Sequence, residues 1–133
     1  MQNLDQIRAA AALAAANSRQ GGKFSFLRSD VAGFPAIIME NGLLAAFAYA
    51  DETGKETRKG IKFACDRTAA HLAGHGINVL RKKTTARALI EALSEPAATS
   101  LDLQRATSEA LIFFGFLKRF AAKDHPKSNT NTA

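Results

Sequence analysis

The sequence predicts an all-α protein, a single-domain bundle of about five to seven helices. A chain of 133 residues is long enough for one domain and too short for two ordinary ones. Alanine, the strongest helix former, is frequent, and the apolar fraction of 47% is that of a globular protein. Apolar residues recur at spacings of three and four along most of the chain, whereas no strand-like alternation extends beyond a few residues.

The first predicted helix begins after Asn3 and ends near Ser18. Asn3 is a favourable N-cap, and Gln6 lies three residues later, where it can complete a capping box. Gly21 and Gly22 are expected to end the helix, since glycine tolerates left-handed dihedral angles. The predicted apolar face consists of Leu4, Ile7, Ala11 and Ala14.

Three short helical segments are predicted next. The range 24–31 favours a short helix, and Pro35 favours the start of another, since proline lacks only an N–H that would be unpaired there. Gly42 is expected to end that helix in a Schellman turn, with Leu43 contacting Ile38. A further short helix follows the glycine.

Three further predicted helices complete the bundle. The range 55–75 predicts one helix, and Thr84 or Thr85 is expected to cap a short helix that ends before Pro96. The range 100–123 predicts a buried central helix. Its apolar stripe is Leu103, Ala106, Ala110, Phe113, Leu117 and Phe120, and that of the 55–75 helix is Ile61, Cys65, Ala69 and Leu72. Residues 1–124 are therefore predicted to form the helical domain, and the polar range 125–133 a disordered tail.

Positive charge is concentrated in one segment. The net charge of the chain is +6, and residues 55–87 alone contain nine basic and two acidic side chains, a net +7. Residues 1–54 contain four basic and five acidic side chains, and residues 88–133 contain five of each. A concentrated basic patch attracts polyanions, although an excess of Lys and Arg can also serve solubility alone.

One face of the predicted 55–75 helix is the sharpest candidate for contact with nucleic acid. Four basic residues of this helix are spaced at offsets of zero, three, four and seven, which places them on one face: Lys55, Arg58, Lys59 and Lys62. This face differs from the apolar stripe and is expected to be free for a partner. More basic residues lie before and within the threonine-capped helix, whose free N–H groups also favour anions. The predicted phosphate-contacting residues are Lys55, Arg58, Lys59, Lys62, Arg67, Arg81, Lys82, Lys83 and Arg87. Lys118 and Arg119 could contact nucleic acid or could complement a helix dipole.

Side chains that could indicate catalysis or metal binding are better explained structurally. His71 and His75 have a spacing that can hold a metal, but no acidic neighbour completes a site, and a solvated pair near the helix end is favoured. Cys65 lies on an apolar stripe and is expected to be buried. The sequence predicts no enzyme activity, no cofactor and no metal site.

The cellular compartment follows from two observations. A single cysteine cannot form an internal disulfide, which fits a reducing compartment. Charged and polar residues interrupt the first twenty positions, so neither a signal peptide nor a membrane span is expected. A cytoplasmic protein is the simplest prediction.

Two stretches, Phe34–Ala48 and Ala106–Ala121, together resemble the small all-helical subunit of type III-B CRISPR RNA-guided effector complexes, the Cmr complexes. The resemblance is carried by Pro35, Asn41, Gly42 and Leu43 in the first stretch and by Leu117, Lys118, Arg119, Phe120 and Ala121 in the second. The order and separation of the two motifs, with the basic segment between them, make the combination more specific than either alone. The family often has a Trp where this chain has Phe116.

The resemblance implies a noncatalytic structural subunit. Several copies would stack along the effector filament beside the backbone subunits and line the groove that holds the guide RNA–target RNA duplex. In guided systems base pairing reads the sequence while the protein contacts the backbone. Three other interpretations stay open: a small subunit of a type III-A effector, a helical DNA-binding regulator that acts as a symmetric dimer, and a protein scaffold whose charge serves solubility.

Overall fold

The computed structural model describes residues 3–52, 59–74, 77 and 85–124. Over these residues the chain forms six helices of at least two turns, one single-turn helix and one small hairpin, which confirms the predicted all-α class. The helices are α1 (Leu4–Asn17), α2 (Arg28–Val31), α3 (Phe34–Asn41), α4 (Leu43–Asp51), α5 (Lys59–Ala73), α6 (Ala86–Ser94) and α7 (Ser100–Phe120). The strands are β1 (Arg19–Gln20) and β2 (Lys23–Phe24). None of the described helices combines the length and the hydropathy that crossing a membrane requires.

Helix α7 is the centre of the bundle. It packs against α1, α2, α3, α4 and α5, while α6 packs against α4 and α5 on the far side. The predicted stripe of α7 faces the core, since Ala106, Ala110, Phe113 and Leu117 are fully buried. Phe114, which lies outside the predicted stripe, is also fully buried. Helices surround α7 on several sides, so its buried face is wider than predicted.

The predicted starts of three helices are confirmed. The Asn3 side chain accepts a hydrogen bond from the Gln6 N–H, and the Gln6 side chain accepts from the Asn3 N–H, each at 2.9 Å. Thr85, rather than Thr84, caps α6 by accepting from the Ala88 N–H. Thr99 forms a capping box with Asp102 at the start of α7, and this hydrogen bonding lowers the pKa of the Asp102 carboxyl.

The predicted apolar stripe of α5 is confirmed. Its four residues Ile61, Cys65, Ala69 and Leu72 are buried. Burial raises the pKa of the Cys65 thiol well above its ordinary value, so this cysteine behaves as a small apolar side chain. The outer parts of the predicted 55–75 helix, residues 55–58 and 75, lie outside the described residues, as does the predicted tail 125–133.

The prediction of a helix over residues 24–31 is wrong in its first half. Residues 19–20 and 23–24 pair as antiparallel strands, and the helix α2 is limited to Arg28–Val31. Gly21 and Gly22 both have positive φ, 60° and 81°, as a tight two-residue hairpin turn requires. The two glycines therefore reverse the chain instead of capping α1.

Gly42 ends α3 as predicted, but not in a Schellman turn. Its N–H donates to the Ile38 carbonyl oxygen at 2.8 Å, and its φ of 88° is positive. Its ψ of 159° lies far from the left-handed helical value that a Schellman turn needs. The chain thus changes direction at one glycine, which both ends α3 and precedes α4.

The predicted apolar face of α1 is wrong for two of its four residues, while Ile7 and Ala11 are partly buried. Leu4 is 47% exposed, and Ala14 is exposed. The buried residues of α1, which packs mainly against α7, are Ala12, Ala15 and Ala16. Alanines allow a close approach here, so the buried side of this helix has small residues.

Candidate nucleic-acid interface

The structure describes four of the nine predicted phosphate-contacting residues. Lys59, Lys62 and Arg67 lie on α5, and Arg87 lies in the first turn of α6. The other five, Lys55, Arg58, Arg81, Lys82 and Lys83, lie outside the described residues. Lys59 is exposed at the first position of α5, as predicted for a solvent-facing cation.

Lys62 and Arg87 meet in a group of four charged side chains, which we call the α4–α5–α6 charge cluster: Asp51, Lys62, Asp66 and Arg87. Lys62 Nζ lies 3.2 Å from Asp66 Oδ2 and 3.7 Å from Asp51 Oδ1. Arg87 Nε donates to Asp51 Oδ2 at 2.9 Å. Side chains from three helices thus converge on one place at the surface.

The cluster corrects the prediction that the basic face of α5 is unoccupied. Lys62 already has two carboxylate partners, and its side chain is 39% exposed. Two acidic and two basic side chains also make the cluster formally neutral. Its cations can still contact a ligand through their exposed sides, but they do not form an uncompensated patch.

The start of α6 is less open to anions than predicted. The Ala86 N–H donates to Asp66 Oδ1 at 2.8 Å, and the Ala88 N–H donates to the Thr85 hydroxyl at 3.1 Å. Two of the first N–H groups of this helix are therefore satisfied by the chain itself. The Asp66 bond instead fixes the beginning of α6 against α5.

Arg67 is separated from this cluster. It borders a cleft of about 300 Å³ together with Ile7, Ala11 and Ala14 of α1. Its guanidinium lies 5.2 Å from the centre of the Phe63 ring, close enough for a cation–π contact. Lys62 faces α4 and α6, whereas Arg67 faces α1. The two cations therefore lie on different sides of α5 and do not form one continuous surface for a ligand.

Aromatic residues that could stack on bases are mostly committed to packing. Phe26 is buried, and its ring stacks on Phe63 at 6.0 Å between centroids. The Phe24 ring lies 4.2 Å from the guanidinium carbon of Arg19 across the hairpin. Phe26 is therefore used in packing, and Arg19 covers one face of the Phe24 ring.

A second charged group, absent from the sequence predictions, connects α1, α5 and α7. We call it the buried Arg8–Glu109–His71 group. Glu109 accepts from Arg8 Nη2 at 2.7 Å and from Arg8 Nε at 2.8 Å, and His71 Nε2 lies 2.9 Å from the same carboxylate. The His71 ring stacks on Phe113 at 4.2 Å with an angle of 11° between the ring planes. The prediction of a solvated His71–His75 pair is therefore wrong for His71, and His75 lies outside the described residues.

The electrostatics of this group follow from burial. Burial lowers the pKa of His71 despite the nearby carboxylate, so the ring is neutral at pH 7 and donates through Nε2. Burial alone would raise the pKa of Glu109, but hydrogen bonds from Arg8 and His71 outweigh it and lower that pKa. A signal was present in the sequence, since Glu109 lies on the predicted apolar face of α7 between Ala106 and Phe113.

An apolar groove lies next to this group, on the outside of the bundle. It has a volume of about 520 Å³, and Leu4, Leu101 and Ile112 line it as exposed apolar side chains. Exposed apolar side chains that adjoin one another often mark surfaces where proteins meet.

A comparison of the sequence with models of known protein families shows to which family the chain belongs. A model of the CRISPR-associated protein family Cas_Cmr5 matches residues 4–123. The chain belongs to this family. The resemblance to the small subunit of type III-B Cmr complexes is thereby confirmed, and the match favours it over the type III-A and DNA-regulator interpretations. No significant match was found among the curated proteins or the solved structures.

Proposed function

We propose that this Cmr small subunit is a noncatalytic structural component of a type III-B effector complex in antiviral defence. Copies of it stack along the effector filament beside the backbone subunits. Its basic segment, residues 55–87, contacts the backbone of the guide RNA–target RNA duplex without reading its sequence. The family match supports the effector assignment, and the net +7 of this segment is the single observation that carries the RNA contact.

The described part of the segment supports this proposal through the exposure of its cations. Arg87 keeps 67% of its side chain exposed although Asp51 holds its Nε atom. Lys59 is exposed one turn before Lys62 on the same helix. These side chains can reach a phosphate while the core of the bundle stays unchanged, as backbone contact requires.

The apolar groove supports contact with other subunits. Leu4, Leu101 and Ile112 expose apolar surface beside α1 and α7, on a part of the molecule away from the charge cluster. A neighbouring subunit that covers this groove would remove apolar area from water and leave the basic segment accessible.

The RNA contact is tested by charge reversal in the reconstituted effector. Lys62 is unsuitable, because Lys62→Glu would place a third carboxylate beside Asp51 and Asp66 and disturb folding. Lys59→Glu instead changes an exposed position that is not one of the four residues of the cluster. Lys23→Glu in β2 is the matched control, since Lys23 is also exposed but lies outside the segment. Binding to labelled target RNA is measured by fluorescence anisotropy over a series of salt concentrations.

We expect Lys59→Glu to weaken binding roughly fivefold and to reduce the slope of log affinity against log salt by about 1. The control is expected to match the unaltered complex. Equal affinity of both variants would refute the RNA contact at this position. Affinity purification of the tagged chain from its native host tests the effector assignment separately, since guide RNAs and further effector subunits must then be recovered with it.

A further inference from the structure

We propose that Asp51 is a positioning residue, whose buried carboxylate holds Lys62 and Arg87 in the arrangement that contacts the RNA backbone. This inference rests on the proposed function, because it names what orients two of the contacting cations. Asp51 itself is too far inside to touch a ligand, since its side chain is only 8% exposed at the end of α4.

The geometry of the carboxylate supports the proposal. Its two oxygens are divided between two cations on two different helices, Oδ1 facing Lys62 and Oδ2 accepting from Arg87. Both cations are far more exposed than the carboxylate between them. A buried anion under two exposed cations is the arrangement expected when the cations must be held toward the solvent.

The atom that Arg87 uses is also informative. A guanidinium has five N–H donors in one plane, and the bond to Asp51 takes only the one on Nε. The four donors on the Nη atoms lie at the outer end of the group. A bond at Nε fixes the plane of the guanidinium, so its outer edge is presented in one orientation and loses less entropy when it binds a phosphate.

Asp66 strengthens the same arrangement from α5. Its Oδ2 lies 3.2 Å from Lys62 Nζ, and its Oδ1 accepts from the N–H of Ala86, the residue before Arg87. The backbone that carries Arg87 is therefore attached to the helix that carries Lys62. The distance between the two cations is set by the fold rather than by two independent flexible side chains.

Positioning and simple neutralisation by Asp51 predict opposite results. If Asp51 only subtracts charge from a basic surface, Asp51→Asn raises the net charge by one and strengthens RNA binding. If Asp51 orients its two cations, the same substitution weakens binding although the protein becomes more positive. Glu40→Gln is the matched control, because it removes one negative charge from an exposed site on α3.

The experiment measures the affinity of the full chain, alone and in the reconstituted effector, for a fluorescein-labelled RNA duplex of mixed sequence. The variants are Asp51→Asn, Arg87→Gln, their combination and Glu40→Gln. We expect each of the first two to weaken binding roughly fivefold and to reduce the salt slope by about 1. The combination is expected to be weaker than Arg87→Gln by less than the full effect of Asp51→Asn, since Asp51 acts partly through Arg87 and partly through Lys62. Glu40→Gln is expected to bind as tightly as the unaltered protein or slightly more tightly.

The outcomes separate this inference from the proposed function. If Arg87→Gln weakens binding but Asp51→Asn does not, the positioning role is overturned and the RNA contact stands. If Arg87→Gln binds normally, both fail at this site. A merely destabilised protein would show a lower melting temperature and fewer active molecules with an unchanged salt slope, and that result for Asp51→Asn also overturns the inference.

A second variant decides the question if Asp51→Asn does not fold. Arg87→Lys keeps the charge at a largely exposed position, but an ammonium cannot bond Asp51 and present a planar outer edge at the same time. We expect Arg87→Lys to bind RNA nearly as weakly as Arg87→Gln. Binding equal to that of the unaltered protein would overturn the positioning role.

Discussion

Replacing Glu109 by Gln tests how much the buried Arg8–Glu109–His71 group contributes to stability. The carboxylate accepts three hydrogen bonds, from Arg8 Nη2, Arg8 Nε and His71 Nε2, at 2.7, 2.8 and 2.9 Å. Gln has nearly the same volume but only one acceptor oxygen, and its amide nitrogen must face one of these donors. The substitution therefore leaves no cavity and isolates the electrostatic effect.

The magnitude follows from burial. Removing one partner of a fully buried ion pair costs about 3–5 kcal/mol, because the other charge stays buried without compensation. The side chains of Arg8 and Glu109 are 14% and 10% exposed, so water can partly solvate the orphaned guanidinium. We expect a loss of about 3 kcal/mol in the free energy of unfolding, a large share of a domain stability of about 5–15 kcal/mol. The melting temperature should fall by about 10 °C.

Asp5→Asn is the matched control, since Asp5 is the other carboxylate that contacts Arg8. It lies 3.4 Å from Arg8 Nη1, but its side chain is 80% exposed, and exposed ion pairs contribute about 0–1 kcal/mol. Urea denaturation at pH 7, followed by circular dichroism, measures both variants. The reasoning is refuted if Glu109→Gln is as stable as the unaltered chain, or if Asp5→Asn costs as much as Glu109→Gln.

Two further predictions concern pH and backbone conformation. Because the pKa of His71 is lowered in the fold, the unfolded chain binds more protons below the ordinary value of 6.5, and stability must fall as the pH decreases through that value. His71→Gln keeps a donor to Glu109 and should flatten this decrease below pH 6.5 in denaturation curves, and an unchanged slope would contradict the explanation. Gly42→Ala should cost about 2 kcal/mol, since Gly42 has a φ of 88° and a ψ of 159° and a Cβ there would meet no atom within 4 Å, so the cost is conformational. Gly115→Ala, at an exposed position inside α7 that is equally open to a Cβ, should instead stabilise the protein by about 0.5–1 kcal/mol, and thermal melts that showed the same sign for both alanines would contradict the explanation.

Features that depend on neighbouring residues in the sequence could be predicted. The capping box at Asn3, the end of α3 at Gly42 and the buried stripes of α5 and α7 all follow from local geometry and helical period. The buried side of α1 could not be predicted in this way. Alanine occupies almost every face of that helix, so its period does not say which side is buried, and the decisive contact joins Arg8 to a residue 101 positions later.

The hairpin and the charge cluster were missed for related reasons. Strands of two residues are too short to show alternation, and the Gly21–Gly22 pair is equally compatible with a helix end. The residue spacing that predicted a free face for Lys62 concerns only the helix on which Lys62 lies. Its partner Asp51 comes from α4, and only the packing of α4 on α5 brings that carboxylate within reach.

Helix α5 takes part in both charged groups, and exposure distinguishes their roles. The buried Arg8–Glu109–His71 group lies toward α1 and α7, with side chains between 2% and 14% exposed, so its hydrogen bonds are used within the fold. In the α4–α5–α6 charge cluster the carboxylate of Asp51 is buried, while Lys62 and Arg87 are 39% and 67% exposed. A charged group can bind a ligand only through donors that the fold leaves accessible to solvent. The first group therefore stabilises the bundle, and the second leaves the donors of two cations accessible to a ligand.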